Sequence, residues 1–361
     1  MRELDKFRGC MVGGAAGDAL GYAIEFIHET QIFRRFGKDG ITQYSLRGGV
    51  AQFSDDTQMT LFTANGLMNC RENDMQSYTD CIRDSYRDWY LTQAGTYPIN
   101  ANKHCWLLNV PELFSRRAPG LTCISAIENG AHGTIENPIN TSKGCGGVMR
   151  VAPIGLYFSG TQTAIEQSDM LAASAAAITH GHELGYIPAA ALVHIIREVI
   201  ESDDITLEQA VLNSTKAMEK LFSGVKHSGR FSELMQLTVE LSHSELSTLE
   251  AIHQLGQGWV AEEALAISVY CALKYANDFD KAIIASVNHG GDSDSTGSIT
   301  GNILGAYMGY DAIPDKYKQG LELKELIIEL TDDLYEMKCG KMPQEEIKKK
   351  YIDAAYEYKN S

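Results

Sequence analysis

Apolar residues recur at intervals of three and four along most of this chain, which is the spacing that one face of an α-helix requires. In the segment 321–337, for example, Leu323, Leu326, Leu330 and Leu334 form one stripe opposite Glu and Lys residues. Alternating patterns typical of strands are hard to find between turn signals. The pattern predicts an all-α protein with helices over residues 54–68, 165–179, 186–200, 207–222, 261–275 and 321–337.

The first predicted helix, residues 4–20, is unusual for its glycines, which recur at every fourth position. They are Gly9, Gly13, Gly17 and Gly21. Such a row makes a smooth ridge that another backbone can approach closely. Similar ridges occur in membrane helices that dimerise, but the charges of Asp5 and Asp18 exclude a membrane span here. We therefore expect a tightly buried central helix.

The domain organisation follows from what the chain lacks. Its 361 residues can bury a sizeable core, and no linker rich in Pro or Ser and no internal repeat divides them. A hydrophobic content of 44% and a charged content of 22% are those of a globular protein. We predict one compact domain over residues 1–361, in which residues 341–361 form a peripheral C-terminal helix.

Charge and cysteine usage limit the partners and the compartment. A net charge of -16 argues against a nucleic-acid-binding surface, which needs clustered Lys and Arg. No apolar run reaches the roughly 18 residues of a membrane span, and the N-terminus lacks the apolar region of a signal peptide. The eight cysteines contain no C-x-x-C pair and are interpreted as reduced thiols. Together these features predict a cytoplasmic protein that binds neither nucleic acid nor membrane.

Two acidic clusters stand at predicted helix starts, one at residues 54–57 (Ser-Asp-Asp-Thr) and one within residues 288–297. Each cluster alone is explained by capping, because Ser and Asp accept hydrogen bonds from the free N–H groups of a helix start. The two clusters together supply four aspartates, which is more carboxylate than capping uses. If the two starts met, these groups would repel one another unless two divalent cations lay between them. Carboxylate and hydroxyl oxygens favour Mg, Mn or Ca over Zn or Cu.

Competing metal motifs fail residue by residue. The segment that begins at Asp292 starts like an EF-hand loop, but Ile303 occupies the twelfth position, which needs a bidentate Glu. His182 and Glu183 begin like the H-E-x-x-H motif of zinc proteases, yet the fifth position is Tyr186. No P-loop and no nucleophile-elbow string occurs.

A glycine-rich loop follows at residues 142–150 (Ser-Lys-Gly-Cys-Gly-Gly-Val-Met-Arg). Three glycines within four residues let backbone N–H groups approach a ligand closely, and such loops bind phosphate oxygens. Glycine-rich turns are more often only turns, so both interpretations stay open at this point. His180, at the end of the helix 165–179, is likewise either a helix cap or a ligand.

In content and order these segments resemble the ADP-ribosylglycohydrolase family. The match begins with residues 17–21 (Gly-Asp-Ala-Leu-Gly) and Glu25, continues through the first acidic cluster and the glycine loop, and ends with residues 290–297. It covers about residues 5–315 and leaves out the C-terminal tail. The resemblance implies a compact orthogonal bundle of α-helices with a centre of two magnesium ions, for which Mn2+ is a possible substitute.

The resemblance also implies roles for single residues. Six would hold the two metal ions: Ser54, Asp55, Asp56, Asp292, Asp294 and Ser295. The diphosphate would be held by residues of the glycine loop with His180 nearby: Ser142, Gly144, Cys145, Gly146 and Gly147. Asp55, Asp56 and Glu25 are the candidates for the catalytic general base. Trp259, beside a glycine turn, is either a substrate contact or a core residue.

The acidic clusters and the resemblance together predict a magnesium-dependent hydrolase. It would cleave the N-glycosidic bond between ADP-ribose and an arginine side chain of a modified protein, with ADP-ribose as a product. One alternative is a bond to serine or to a small molecule. Another is a non-catalytic ADP-ribose-binding protein of the same fold.

Overall fold

The computed structural model describes residues 2–99 and 103–358, and within these ranges it is all-α, without a β-strand. This confirms the predicted fold class. None of the described helices is both long and apolar enough to cross a membrane. The α-helices are α1 Arg2–Gly21, α2 Glu29–Phe36, α3 Asp55–Asn69, α4 Met75–Ala94, α5 Leu121–Glu128, α6 Ala152–Phe158, α7 Ile165–Ala177, α8 Glu183–Glu201, α9 Leu207–Leu221, α10 Ser228–Ser242, α11 Thr248–Leu255, α12 Ala261–Lys274, α13 Phe279–Val287, α14 Ser293–Met308, α15 Asp315–Lys318, α16 Lys324–Lys338 and α17 Gln344–Ile347.

Each helix predicted between residues 4 and 337 is present, and the largest differences at the helix ends have local causes. The helix predicted from residue 186 begins at Glu183, because the Nδ1 atom of His182 accepts a hydrogen bond from the N–H of Leu184 at 3.0 Å and caps the helix. The helix predicted from residue 321 begins only at Lys324, because Leu323 adopts a left-handed φ of 50° that a helix interior does not allow.

α1 lies at the centre of the molecule, with α14 against it. The two helices face each other with glycines, so that their backbones touch. A Cβ atom added at Gly305 would lie 1.9 Å from the carbonyl oxygen of Gly9, and one added at Gly301 would lie 2.0 Å from that of Gly13. The glycine ridge of α1 therefore allows the close packing that was predicted for it, here against α14. α1 is buried along most of its length.

The other helices surround this pair. α3 packs on α4, α7 packs on α8, and α8 also contacts α12 and α14. One hydrophobic core extends from Phe7 in α1 to Tyr351 near the C-terminus, and a smaller cluster fills the space between α10, α11 and α12. Gly21, at the end of α1, faces Ser293, at the start of α14. The packing thus brings the first turn of α14 to the C-terminal end of α1.

The C-terminal segment is attached to α16 by buried polar contacts. α17 continues into a π-helical turn, Lys348–Ile352, and residues 354–358 are not helical. The Lys350 ammonium donates to the Asp333 carboxylate at 2.7 Å, and the Tyr351 hydroxyl donates to the same oxygen at 2.7 Å. Of the segment 341–361, for which a helix was predicted, the described residues are helical only over 344–352, and residues 359–361 lie outside the described residues. The assignment of the whole chain to one domain stays a prediction.

Candidate active site

The starts of α3 and α14 meet at one cavity, although they lie far apart in the chain. Asp55 and Asp56 are the first two residues of α3, Asp292 is the N-cap of α14, and Asp294 is the second residue of α14. All four line a cavity of about 470 Å³. The two acidic helix starts therefore share one site.

Hydrogen bonds fix the start of α3. Ser54 caps the helix, since its Oγ accepts from the N–H of Asp56 at 3.2 Å. The N–H of Asp55 donates to the carbonyl of Arg117 at 3.1 Å. The Oδ2 atom of Asp55 accepts from the N–H of Gly120 at 3.2 Å. The loop at residues 117–120 thereby orients the Asp55 carboxylate in the cavity.

Asp18 lies buried in α1 behind this helix start, and sequence reasoning assigned it no role of its own. Its Oδ1 accepts from the N–H of Ser54 at 2.8 Å, and its Oδ2 accepts from the N–H and the hydroxyl of Thr57 at 3.0 and 2.5 Å. Burial, reinforced by the charge of Asp294, raises the pKa of Asp18 to about 7. The available signal was a lone carboxylate within the small and apolar residues 9–21.

A glycine turn brings Asp292 to the cavity. The N–H of Asp292 donates to the carbonyl of Gln257 at 2.8 Å, and a Cβ atom added at Gly291 would lie 1.9 Å from that same carbonyl oxygen. Only glycine allows the two segments to approach so closely. The N–H of Ser295 donates to Oδ1 of Asp292 at 3.3 Å and to Oδ1 of Asp294 at 3.0 Å. The first turn of α14 thus presents both aspartates together.

Glu25, in the turn after α1, adds a fifth carboxylate to the cavity. Burial, followed by the charges of Asp294 and Asp292, raises the pKa of Glu25 to about 11. Burial and the charge of Asp294 also raise the pKa of Asp55, Asp56 and Asp292 well above the ordinary range. The cavity therefore strongly disfavours the uncompensated negative charge of these groups.

In the described part of the cavity lining, these carboxylates are not offset by a cationic side chain. None of the described residues that line the cavity is a Lys or an Arg. The Oε2 atom of Glu25 and the Oδ2 atom of Asp56 are buried without a hydrogen-bond partner. Buried carboxylate oxygens without partners are strongly unfavourable, and carboxylates are preferred ligands of hard divalent cations. The donor set consequently fits the magnesium centre that the resemblance implies.

The glycine loop forms another part of the cavity wall through Gly144, Cys145 and Gly146. The N–H of Cys145 donates to the carbonyl of Trp259 at 3.3 Å, and its thiol donates to Oδ2 of Asp292 at 2.8 Å. Burial and the charge of Asp292 raise the pKa of Cys145, which keeps the thiol protonated as this donor. Cys145 therefore links the loop to the acidic cluster.

His180 also lines the cavity, in contact with the glycine loop. A Cβ atom added at Gly144 would lie 3.3 Å from Nε2 of His180, and one added at Gly146 would lie 3.0 Å from its Cε1. The glycines thus allow the loop to rest on the imidazole. Burial and the charge of Arg150 lower the pKa of His180 to about 3, so a neutral imidazole faces the cavity.

Three of the predicted site residues do not line the cavity. Ser54 is buried and uses its Oγ to cap α3. Ser142 uses its Oγ to accept from the N–H of Gly144 at 3.3 Å. Gly147 is buried where a Cβ atom would lie 2.9 Å from the carbonyl oxygen of Gly185. These residues support the wall from behind, whereas the other predicted residues face the cavity: Glu25, Asp55, Asp56, Gly144, Cys145, Gly146, His180, Trp259, Asp292, Asp294 and Ser295.

Exposed apolar side chains surround the cavity opening. Phe26 and Trp259 line the cavity while 74% and 39% exposed, and their rings lie nearly parallel at a centroid distance of 6.0 Å. Leu121 lines it as well and is 80% exposed. Trp259 is therefore a surface residue of the cavity and not a core residue. A group of exposed apolar side chains around a cleft is typical of a binding site.

The chain belongs to a known protein family. The chain is a member of the ADP-ribosylglycohydrolase family, whose sequence profile matches residues 1–344. The family that the motifs indicated is thereby confirmed. Membership supports ADP-ribosylglycohydrolase activity and does not select the side chain from which ADP-ribose is removed.

Relatives resemble the chain over most of its length. An uncharacterized protein of Archaeoglobus fulgidus is 28% identical over 92% of this chain and 97% of its own length. ADP-ribosylhydrolase ARH3 of Mus musculus is 26% identical, covering 89% of this chain and 88% of its own. The ADP-ribosyl-[dinitrogen reductase] glycohydrolase of Rhodospirillum rubrum is 23% identical over 89% and 91%. A solved structure described as an ADP-ribosylglycohydrolase-related protein complex aligns with a TM-score of 0.62 over 93% of this chain and 99% of its own at 22% identity, which supports the fold.

Proposed function

We propose that the chain is a magnesium-dependent hydrolase that releases ADP-ribose from a modified arginine side chain. The observation that supports this most is the cluster of five carboxylates, with two unpartnered buried oxygens, in a cavity whose described lining has no cationic side chain. Two Mg2+ ions, or Mn2+ in their place, would offset four of the five negative charges and act as Lewis acids toward sugar oxygens. They would be held by Asp55, Asp56, Asp292, Asp294 and Ser295, while Ser54 caps α3 behind them.

The carboxylates differ in how free they are to move a proton. Oδ2 of Asp55 already accepts from the N–H of Gly120, which suits this residue to positioning. Oε2 of Glu25 and Oδ2 of Asp56 have no such partner. These two atoms are the candidates to accept a proton from the attacking water as general base. The remaining negative charge would stabilise the oxocarbenium character that develops at the ribose carbon.

The glycine loop supplies the groups for the diphosphate. Its backbone is held against His180, and nests of backbone N–H groups bind phosphate oxygens. The loop residues in this role are Gly144, Cys145 and Gly146, which face the cavity, with Ser142 and Gly147 supporting them from behind. Because His180 is neutral, the loop relies on N–H groups and bound cations to compensate the anion in this acidic protein.

The cavity opening favours arginine as the modified side chain. A guanidinium group stacks well on exposed aromatic rings, and Phe26 and Trp259 offer two nearly parallel rings beside the carboxylates. A bond to serine, or to a small molecule, is the alternative within the same activity. Binding of ADP-ribose without hydrolysis is the alternative from a different class of function.

Release of ADP-ribose from matched peptides tests the proposal. Peptides that carry ADP-ribose on arginine or on serine are incubated with the protein, with Mg2+ and after removal of metal by chelation. We expect release from the arginine peptide only when Mg2+ is present. Release from the serine peptide alone would replace the arginine assignment. If calorimetry detects ADP-ribose binding and no conjugate is cleaved, the chain is a binding protein.

Substitution of the aspartates tests the assignment of residues. Asp55→Asn and Asp294→Asn should each reduce turnover about 100-fold or more, because losing a ligand exceeds the loss of an outer-shell contact. Asp74→Asn is the matched control, since Asp74 caps α4 away from the cavity with a bond from Ser77 at 3.0 Å and Asn caps equally well. Full activity in either cavity variant would contradict the proposed metal centre.

A further inference from the structure

A second group of metal-ligand side chains lies outside the acidic cavity. His182 caps α8, Glu183 is the first residue of α8, and His227 immediately precedes α10. One ligand atom from each of these three residues lies within 4.8 Å of the other two. None of the three lines the acidic cavity. The two histidines come from different parts of the chain and meet only in the fold.

Two of the three distances between ligand atoms in this group match those of tetrahedral coordination. Oε2 of Glu183 lies 3.4 Å from Nδ1 of His182 and 3.4 Å from Nδ1 of His227. Zinc-ligand bonds of about 2.05 Å at tetrahedral angles place neighbouring ligand atoms about 3.4 Å apart. The two imidazole rings stack nearly parallel, with centroids 5.0 Å apart. All three side chains are partly buried and remain reachable from solvent.

We propose that His182, Glu183 and His227 bind one transition-metal ion of the zinc class. Two imidazole nitrogens and one carboxylate oxygen form a borderline donor set, which suits Zn2+ and its neighbours and not Mg2+, because Mg2+ demands octahedral oxygen ligands. Three protein ligands leave a fourth position for water. The site is therefore chemically distinct from the all-oxygen cluster in the cavity.

The backbone supports this assignment at His227. This residue has a left-handed φ of 64°, a conformation that residues other than glycine rarely adopt. Strain of this kind is found where a side chain must be held in a particular direction, and here the imidazole is held against Glu183. At His182, metal binding through Nδ1 would replace the capping bond from the N–H of Leu184. One capping bond is small beside the free energy of zinc binding.

Among the described ion pairs, Glu183 has only the two histidines as partners, and the group is linked to the glycine loop. Lys143 of the glycine loop is paired with Glu262 and not with Glu183. The N–H of His182 donates to the carbonyl of Ser142 at 3.2 Å. A bound ion would thus join the start of α10, through α8, to the loop that lines the cavity.

Zinc titration of the whole protein tests the site. The protein is stripped of metal, saturated with Mg2+ to fill the acidic cavity, and titrated with ZnCl2 by calorimetry, with native mass spectrometry for stoichiometry. We expect one Zn2+ per chain that excess Mg2+ does not displace. His227→Ala and His182→Asn should each weaken this binding at least tenfold, and Asn at position 182 retains a helix cap.

His243→Ala is the matched control, because His243 pairs with Glu208 at 2.9 Å on the surface without a second imidazole. It should bind Zn2+ like the unchanged protein. Co2+ in place of Zn2+ should give the visible absorption of a four-coordinate ion, which both site variants lose. If the unchanged protein, His227→Ala and His182→Asn bind Zn2+ alike, or if none binds it in excess Mg2+, the proposal is overturned. These readouts do not involve hydrolysis, so they stand apart from any failure of the proposed function.

Discussion

The two helix starts that form the acidic cavity are held in place by different interactions. α14 is fixed by backbone packing: a Cβ atom added at Gly297 would lie 2.4 Å from the carbonyl oxygen of Gly17, and Gly301 and Gly305 are as tightly placed. α3 is fixed by hydrogen bonds, because three donors at its start converge on the carboxylate of Asp18. α1 therefore positions both starts, one through its glycines and the other through one side chain.

The two modes of attachment tolerate different changes. Contact between two backbones excludes added volume, because main chains cannot change rotamer to make room. A site held by a buried carboxylate tolerates added volume nearby better. It does not tolerate replacement of the carboxylate by a hydrogen-bond donor, because the donors that face it would lose their acceptor. Gly17 and Asp18 are adjacent, so a single turn of α1 sets the distance between the two pairs of aspartates. A misplacement of about 1 Å in such a site is enough to reduce catalysis strongly.

The largest effect is expected from adding volume between α1 and α14. In Gly301→Ala the new Cβ atom would lie 2.0 Å from the carbonyl oxygen of Gly13, so the helices must separate. We expect a loss of about 3 kcal/mol or more in unfolding free energy, at or above the upper end for overpacked cores. This outweighs the gain of about 1 kcal/mol in helix propensity. Chemical denaturation monitored by circular dichroism measures it.

Gly229→Ala is the control for that substitution. Gly229 lies in the first turn of α10 with no atom within 4 Å of an added Cβ. Stability should stay unchanged or rise by up to about 1 kcal/mol. Equal stability of the Gly301→Ala protein and the unchanged protein would show that backbone contact does not fix α14.

Acid should weaken the start of α14 through a single histidine. Nδ1 of His289 accepts from the N–H of Gly291 at 3.3 Å, and Nε2 lies 2.9 Å from the hydroxyl of Thr296. Burial lowers the pKa of His289 to about 4, below the value near 6.5 in an unfolded chain. The folded state therefore binds fewer protons than the unfolded state between these values, and stability is lost as pH falls from about 6.5 to 4.

Substitution of His289 measures its contribution to the pH dependence of the unfolding free energy. Between pH 6.5 and pH 4, protonation of His289 should lower the unfolding free energy by roughly 2 to 3 kcal/mol. Above pH 6.5 this loss should be absent. In His289→Asn, which retains an acceptor for the N–H of Gly291, that component should disappear. Denaturant unfolding at several pH values gives the difference between the two proteins. Parallel curves would remove His289 from the account of how α14 is held.

The helices were readable from the sequence because burial of one face imposes a period of 3.6 residues. The ends were not, because they depend on single conformations and contacts. Leu323 delays α16 by a left-handed φ, and His182 advances α8 by a side-chain cap. Neither leaves a mark in the periodicity of apolar residues, so such boundaries need the coordinates.

The site shows the same division. The two acidic clusters were visible because carboxylates in excess of capping demand an explanation. The function of Asp18 was not, since its three donors belong to α3 and are brought to it only by tertiary packing. The pairing of His182 with His227 was hidden for the same reason. The H-E-x-x-H motif places both histidines within five residues, whereas His227 lies at the start of a different helix.

A smaller effect is expected from placing a donor where α3 is held. In Asp18→Asn, an NH2 group replaces one carboxylate oxygen. This group must point its own N–H donors at the N–H of Ser54 or at that of Thr57. One buried donor is left without a partner, which costs about 2 kcal/mol. We expect Mg2+ affinity and turnover to fall about 10- to 100-fold, as for other outer-shell residues of metal sites. Calorimetry with Mg2+ measures the first effect, and unchanged affinity would contradict the role of Asp18.

The smallest effect separates the hydroxyl of Thr57 from its N–H, because both donate to the same oxygen of Asp18. Thr57→Val removes the hydroxyl alone and should cost about 1 kcal/mol, the net value of one buried hydrogen bond. Thr57→Ser restores the hydroxyl and should recover most of that stability and of the Mg2+ affinity. If Thr57→Val and Thr57→Ser have the same stability and Mg2+ affinity, the backbone N–H donors are sufficient to hold the start of α3. The Thr57 hydroxyl would then have no part in holding it.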